Sequence, residues 1–247
     1  MAVDIFKELK KAALSVYAVA IYLIAITIAL YLPMLQNFFV GDDFTWFRWV
    51  SECKTCSPLE NIFKFFTSSD GFFFRPGTKT YFYGMYSIFW MNQTIYHFVS
   101  LALHFVVSVL FFFLANKIFK NRLLALFCSA IFLVISAVAE NVFWVSATGY
   151  LLTTVFALIS MLLFISWEEK RKIILYILTL VSITVGLLFH EVGTIIPLLL
   201  VSYSFVFNKL NLKKIFTGYY LLLFVPDVLY LVLRFFANSH WFSGDYS

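Results

Sequence analysis

Long uncharged stretches are the feature that most constrains what this chain can fold into. The first of them, Ala12–Leu32, contains no charged residue. An α-helix rises ~1.5 Å per residue, so a run of this length covers the ~30 Å hydrocarbon core of a bilayer. Of the 247 residues, 62% are hydrophobic and only 13% are charged, which is about half the charged fraction of a soluble domain. The sequence therefore predicts an integral membrane protein.

Six further apolar runs follow the first, each near the length of a membrane span. They are Tyr96–Asn116, Leu123–Val138, Tyr150–Trp167, Ile173–Phe189, Val192–Phe207 and Ile215–Phe236. We predict an all-α membrane protein with about seven transmembrane helices in a single domain, residues 1–247. Its parts are a cytoplasmic N-terminus (1–11), a first membrane helix (12–35), an outer loop (38–95), six further helices (96–236) and the start of another outer loop (237–247). We expect the chain to be truncated at its C-terminus.

The long loop over 38–95 is too charged to be a span. Within it, Ile62, Phe63, Phe65 and Phe66 form an apolar cluster that predicts a short helix lying in the membrane interface. Thr78–Trp90 is short and aromatic, which indicates an interfacial or re-entrant segment. We therefore expect interfacial helices in this loop.

The lysines and arginines predict the orientation. With the N-terminus in the cytoplasm, the basic residues cluster at alternate ends of the runs, as the positive-inside rule requires. The clusters are Lys7, Lys10 and Lys11; Lys117, Lys120 and Arg122; Lys170, Arg171 and Lys172; and Lys209, Lys213 and Lys214. Most of the acidic residues then fall on the non-cytoplasmic side, where the aromatic loop also lies. The net charge of +5 forms no basic stripe, so we expect no nucleic-acid partner.

Three cysteines are present, and two of them form the pair Cys53-x-x-Cys56 in the first loop. A zinc site would need a second pair, which the sequence lacks. A local disulfide and two free thiols both remain open for this pair. Cys128 lies in an apolar run and is interpreted as a packing residue.

Asp42 and Asp43 are adjacent carboxylates a few residues beyond the first predicted helix. A partly buried carboxylate at a membrane surface can act as a general base towards a hydroxyl group. The alternative is a solvated pair after a helix. Glu140 and Glu191 lie at the outer ends of later spans, where an ionisable group is by default a functional candidate; the alternative is two carboxylates that reach the interface without a function.

His97 and His104 are seven residues apart and therefore share a helical face. They could position a phosphate or a hydroxyl, or simply form hydrogen bonds within the bundle. Arg75 and Arg234 are cations beside apolar segments on the outer face, and an arginine fork suits a phosphate group. The alternative for both is contact with lipid headgroups.

The order of these motifs resembles the membrane glycosyltransferases of the GT-C class. The resemblance rests on the acidic pair, on Phe74-Arg75-Pro76, on Tyr96-His97 with His104, and on the stretches Val138–Ser146 and His190–Pro197. Protein O-mannosyltransferases, their TPR-containing relatives and bacterial lipid-linked sugar transferases have similar strings. The chain departs from them at Asp43, where many have Glu, and at His190, where Lys is frequent. It also has Ser136-Ala137-Val138-Ala139 before Glu140, where many relatives have His-Pro. It resembles only their N-terminal module.

The resemblance implies a hexosyltransferase of the cell envelope that takes part in protein glycosylation or a related transfer. The donor would be a polyprenyl-phosphate-linked sugar, and the acceptor a hydroxyl of a protein, lipid or glycan at the non-cytoplasmic membrane face. Asp42 would be the general base, and Asp43 would orient the acceptor or, with Asp42, bind a divalent metal. Arg75, Arg234, His97 and His104 would contact the lipid phosphate or other parts of the substrates. Glu140 and Glu191 would bind sugar hydroxyls.

A second hypothesis is a transporter, flippase or scaffold homologue that uses the same outer carboxylates without catalysis. A transporter would be expected to show inverted repeats, and none is visible in the sequence. We expect a multi-pass protein of the plasma membrane rather than of the endoplasmic reticulum.

Overall fold

The computed structural model describes residues 15–51, 57–69, 73–208 and 218–239. These residues are almost entirely helical and contain no strand, which confirms the predicted all-α class. The helices are α1 (Val16–Tyr31), α2 (Asp43–Ser51), α3 (Pro58–Thr67), α4 (Pro76–Phe89), α5 (Gln93–Phe119), α6 (Arg122–Val134), α7 (Ser136–Phe143), α8 (Thr148–Lys170), α9 (Ile173–Phe189), α10 (Ile196–Phe207), α11 (Tyr219–Leu222) and α12 (Val225–Phe236). Short 3₁₀ helices cover Leu32–Gln36, Val145–Ala147 and Glu191–Ile195.

Four segments among the described residues are long and apolar enough to cross a membrane. They are Val16–Gln36, Gln93–Phe119, Val145–Lys170 and Tyr219–Phe236. Three further apolar helical segments, Arg122–Val134, Ile173–Phe189 and Glu191–Phe207, are shorter. The architecture is thus consistent with a multi-pass membrane protein, and the predicted total of seven spans stays a prediction. The predicted parts over 1–11, 215–217 and 240–247, and the pair Cys53 and Cys56, lie outside the described residues.

Two tight helical hairpins form the centre of the bundle. Helices α5 and α6 are joined by Lys120 and Asn121, and helices α8 and α9 by Arg171 and Lys172. Lys120 and Arg171 each adopt a left-handed backbone with φ near +52°. This conformation ends a helix and reverses the chain within two residues. Helix α5 also packs along α8, so the two hairpins lie side by side.

The predicted span Leu123–Val138 is interrupted. Helix α6 ends at Val134, Ile135 takes an extended backbone, and α7 starts at Ser136. A helix end leaves carbonyl groups without intrahelical partners. The Leu133 carbonyl instead accepts hydrogen bonds from the Tyr31 hydroxyl at 2.7 Å and from Nε2 of His104 at 3.1 Å. These two buried donors stabilise the break, which the hydrophobic pattern alone does not show.

The two ends of the bundle differ in chemistry. At the basic end, the Lys117 ammonium binds Glu169 at 2.8 Å. Glu168 there accepts hydrogen bonds from Ser204 and Tyr220, both at 2.7 Å. At the opposite end, which we call the site end, α2, α3, α4 and α7 and the 3₁₀ helices Val145–Ala147 and Glu191–Ile195 converge above the hairpins.

An aromatic cluster holds the site end together. Trp46 stacks on Phe82 with ring centroids 5.1 Å apart and planes 9° apart, and Phe47 packs edge-on against Tyr96 at 5.3 Å. Helix α3 joins this cluster through Phe65, whereas Phe63 is 71% exposed. The two side chains lie on different sides because two residues of a helix turn through ~200°. The predicted short helix is confirmed, and its location in the membrane interface stays a prediction.

Candidate functional site

The site end contains a cavity of about 510 Å³. Three carboxylates line it, from Asp42, Glu140 and Glu191, together with the Arg75 guanidinium. Its aromatic lining comes from Trp46, Trp49, Phe73, Trp144 and Tyr150, and the polar side chains of Thr45, Asn141 and Ser146 complete the wall. Four of the eight candidate residues from the sequence therefore meet in one place, although they are up to 149 positions apart in the chain.

Asp42 presents a free carboxylate to the cavity. Its backbone carbonyl accepts the N–H groups of Thr45 at 3.0 Å and Trp46 at 3.2 Å, so this residue precedes and caps helix α2. Its side chain is partly exposed and lines the cavity. No hydrogen bond or ion pair to its carboxylate occurs within the described part of the chain. This group is therefore available to accept a hydrogen bond from a ligand in the cavity.

Asp43 has a different environment, with a side chain that is only 1% exposed. Its Oδ1 accepts the Ser146 N–H at 2.7 Å and the Ser146 hydroxyl at 2.5 Å, and its Oδ2 accepts the Val40 N–H at 2.9 Å. These bonds join the start of α2 to the 3₁₀ helix Val145–Ala147. Asp43 thereby fixes the position of Asp42 relative to the opposite wall of the cavity.

The acidic pair does not fit the divalent metal that was considered from the sequence. Both Asp43 oxygens face N–H or O–H donors, whose partial positive charge opposes a cation. Within the described ranges, no group of three or more His, Cys, Asp or Glu side chains is arranged to hold a metal ion. We therefore derive no step that requires a metal.

Arg75 and Glu191 form a bidentate ion pair on the cavity wall. Nε of Arg75 donates to Oε2 of Glu191 at 2.7 Å, and Nη2 donates to Oε1 at 2.6 Å. Arg75 caps helix α4, Glu191 begins the 3₁₀ helix after α9, and the Phe73 ring lies 4.4 Å from the guanidinium carbon. Burial alone raises the pKa of Glu191, but the hydrogen bonds and charge of Arg75 outweigh it and lower the pKa to about 2. The carboxylate is therefore ionised at neutral pH.

His190 supports the aromatic wall from behind. Its ring stacks on Tyr150 with centroids 3.8 Å apart, and its Nδ1 accepts the Val192 N–H at 3.2 Å. Burial first, and then the charge of Arg75, lower the pKa of His190 to about 4. The imidazole is thus neutral at physiological pH and packs against the Tyr150 ring.

Close backbone contacts fix the floor of the site. The Thr78 hydroxyl donates to the Phe189 carbonyl at 2.6 Å. A Cβ atom on Gly77 would lie 2.9 Å from the Leu188 carbonyl oxygen, and one on Gly149 would lie 2.9 Å from the Thr78 hydroxyl oxygen. Only glycine permits these approaches, which bring the start of α4, and with it Arg75, against the end of α9.

Glu140 and Trp144 lie between the cavity and a second hollow. This second hollow, of about 400 Å³, is lined by Asn37, Phe38, Val40 and Phe143 as well as by Glu140 and Trp144. Glu140 is exposed on α7, and no bond to its carboxylate occurs among the described residues. Its carboxylate is therefore available to a ligand in either space.

The other three candidates do not line the cavity. His97 is buried on α5. Its ring is close enough to Asp43 and to the Asn37 backbone to interact electrostatically with both. His104 binds the Leu133 carbonyl, as its structural alternative predicted. Arg234 is 8% exposed on α12 and lies one helical turn from Tyr230. The Tyr230 hydroxyl interacts electrostatically with Arg234 and also with Arg75 and Glu191 of the cavity wall.

Sequence reasoning missed Trp46, Trp49, Ser146 and Tyr150 as members of the site. The available signal was weak: Ser146 lies in the stretch after Glu140, and the two tryptophans follow the acidic pair. Aromatic residues are so frequent in this chain that their presence does not mark a site.

An apolar groove of about 560 Å³ is a further space in the bundle. Helices α5, α8 and α10 form its walls, with Phe111, Leu158 and Leu199 among the lining side chains. Its end nearest the site includes Thr154 and Val192. Thr154 is one helical turn from Tyr150, and Val192 follows Glu191 in the chain, so this end of the groove contains the sequence neighbours of two cavity residues.

No protein-family model, curated protein or solved structure matches this chain. A cavity with free carboxylates and several aromatic faces offers hydrogen-bond acceptors for hydroxyl groups and flat surfaces for C–H groups. That combination suits a carbohydrate or another polyhydroxylated ligand.

Proposed function

We propose that the chain is a glycosyltransferase module that transfers a sugar from a polyprenyl-phosphate donor to an acceptor hydroxyl. The observation on which this depends is the free carboxylate of Asp42 in an acidic, aromatic cavity. A general base must be within hydrogen-bond reach of the proton that it removes from the ligand. The Asp42 carboxylate lines the cavity and has no bond partner among the described residues, whereas its neighbour Asp43 is buried and hydrogen-bonded through both oxygens.

The proposed reaction is a single inverting displacement at the anomeric carbon. Asp42 accepts the proton of the acceptor hydroxyl while that oxygen forms a bond to the anomeric carbon. The bond from this carbon to the phosphate oxygen breaks, and its electron pair stays on the lipid phosphate. Arg75, with Arg234 nearby, stabilises the negative charge that develops there, while Glu140 binds sugar hydroxyls.

The apolar groove supports a lipid-linked donor. It extends between α5, α8 and α10, and one end is lined by Val192, the residue after Glu191. An isoprenoid chain in this groove would place its phosphate near Arg75. Part of the lipid would thus stay within the hydrocarbon region while the sugar reaches Asp42.

We propose seven membrane spans with the site end on the non-cytoplasmic face of the plasma membrane. The support is the position of Lys117, Lys120, Arg122, Lys170, Arg171 and Lys172 at the basic end of the hairpins, as the positive-inside rule requires. The N-terminus would then be cytoplasmic.

Substitution of Asp42 by Asn tests the proposal. The wild type and the variant are reconstituted in membranes that contain acceptors, and release of lipid phosphate from labelled polyprenyl-phosphate hexoses is measured. Because a general base contributes ~10²- to 10⁴-fold, Asp42→Asn should reduce transfer by about that factor without changing expression or insertion. Glu169→Gln, at the basic end, is the matched control for loss of one negative charge. Equal transfer by the wild type and Asp42→Asn would refute the assignment.

A further inference from the structure

The guanidinium of Arg75 is already occupied by the carboxylate of Glu191. The two bonds, of 2.6 and 2.7 Å, use Nη2 and Nε of Arg75. Phosphate and carboxylate groups match this fork in the same bidentate way. A phosphate that approaches Arg75 must therefore displace Glu191 or share the guanidinium with it.

Glu191 is well placed to act on a bound phosphate because it is held close to the cavity. Its side chain is 26% exposed and lines the cavity. Its backbone carbonyl accepts the Thr194 hydroxyl at 2.9 Å, which fixes the first turn of the 3₁₀ helix Glu191–Ile195. Even after displacement from Arg75, its negative charge would stay within a few ångströms of the phosphate.

The phosphate changes its charge during the proposed transfer. The donor is a phosphodiester with one negative charge. The product is a phosphomonoester, which approaches two negative charges above its second pKa of about 6. A fixed carboxylate beside the phosphate therefore repels the product more strongly than the donor.

We infer that Glu191 makes the site selective for the donor over the product, and that it promotes release of the lipid phosphate after transfer. This inference rests on the proposed function. Glu191 would thus be a positioning residue for Arg75 and a specificity-determining residue for the charge of the phosphate. That role differs from the binding of sugar hydroxyls expected from the sequence.

The expected selectivity is measurable. For two unit charges ~5 Å apart at an effective dielectric constant of ~20, the repulsion changes an affinity by on the order of 100-fold. Solvent in the cavity reduces this effect, so we expect on the order of 10-fold. Without Glu191, Arg75 and Arg234 would favour the dianion over the monoanion.

The experiment measures binding of two probes to the whole protein in nanodiscs at pH 8, by calorimetry. The probes are farnesyl phosphate, a monoester, and farnesyl methyl phosphate, a diester. They are compared on the wild type, Glu191→Gln, Arg75→Gln and the control Glu169→Gln. Glutamine at 191 can still accept one hydrogen bond from Arg75 but carries no charge, and thermal unfolding of each variant checks that it is folded.

We expect Glu191→Gln to tighten binding of the monoester by about 10-fold more than that of the diester, while Glu169→Gln changes neither. In the wild type, the diester should bind at least as tightly as the monoester; this measurement needs no variant and holds even if Glu191→Gln does not fold. Tighter binding of the monoester to the wild type, or an equal change of both probes in Glu191→Gln, would overturn the inference and leave the proposed function standing. Binding that Arg75→Gln does not weaken would overturn the inference and also the phosphate role of Arg75.

Discussion

Substitution of Asp43 by Asn should strongly lower the stability of the protein, whereas the same change at Asp42 should leave its stability nearly unchanged. The Asp43 carboxylate accepts three hydrogen bonds, two from Ser146 and one from Val40. An asparagine has one oxygen, so its amide N–H₂ group must face either the Val40 N–H or the Ser146 donors. One buried backbone N–H then loses its acceptor, and the remaining bonds lose their charge.

The expected cost follows from these bonds. A hydrogen bond to a charged group contributes ~1.5–3 kcal/mol, and an unsatisfied buried N–H costs ~1–3 kcal/mol. We therefore expect Asp43→Asn to lower the free energy of unfolding by about 3 to 5 kcal/mol. Asp42→Asn removes no hydrogen bond among the described residues, and surface substitutions of this kind usually change stability by less than ~0.5 kcal/mol.

Unfolding of both variants in mixed micelles, followed by circular dichroism as the denaturing detergent increases, measures the two values. A double-mutant cycle with Ser146→Ala isolates the contact between Asp43 and the Ser146 hydroxyl, and residues in direct contact should show a coupling of ~0.5–3 kcal/mol. If Asp43→Asn were as stable as Asp42→Asn, or if the coupling were zero, the division of roles between the two aspartates would be wrong.

Two other predictions concern the floor and the back of the site. Gly77→Ala should lower the melting temperature, because its Cβ would lie 2.9 Å from the Leu188 carbonyl oxygen. The control is Gly84→Ala in the same helix, where no atom lies within 4 Å of the added Cβ; this change should be neutral or stabilising by up to ~1 kcal/mol. An equal change of melting temperature in both variants would contradict the packing described for Gly77. The pKa of His190 is lowered to about 4 in the folded state, whereas an unperturbed histidine has a pKa of ~6.5. Between these two pH values, the unfolded protein binds a proton at His190 that the folded protein does not. The free energy of unfolding should therefore fall with decreasing pH in this window, by at most ~1.4 kcal/mol per pH unit. His190→Gln should flatten this part of the curve of melting temperature against pH, and an unchanged slope would refute it.

The helices could be predicted from the sequence wherever the apolar run ends in basic residues. Ile173–Phe189 has the predicted bounds, and the turn at Arg171 and Lys172 coincides with a charged cluster. The break at Ile135 could not be predicted, because no proline, glycine or charge marks it. The stabilising donors, Tyr31 and His104, come from distant helices.

The carboxylates of the site could be identified from the sequence, but the different environment of each carboxylate could not. Asp42 and Asp43 are equivalent in the sequence, and the difference arises from Ser146, 103 positions away. The ion pair of Arg75 with Glu191 is likewise long-range. His104 shows the converse case, because its polar side chain satisfies a backbone carbonyl away from the cavity.

The two-residue turns at Lys120 and Arg171 have a consequence for biosynthesis and for evolution. Each hairpin has its contacts between near neighbours in the chain, so it can form as soon as its second helix leaves the ribosome, without waiting for the rest of the bundle. The connections that contain Glu140, Ser146 and Glu191 all lie at the other end. Substitutions and insertions in these connections can therefore change the cavity while the hairpins fold as before.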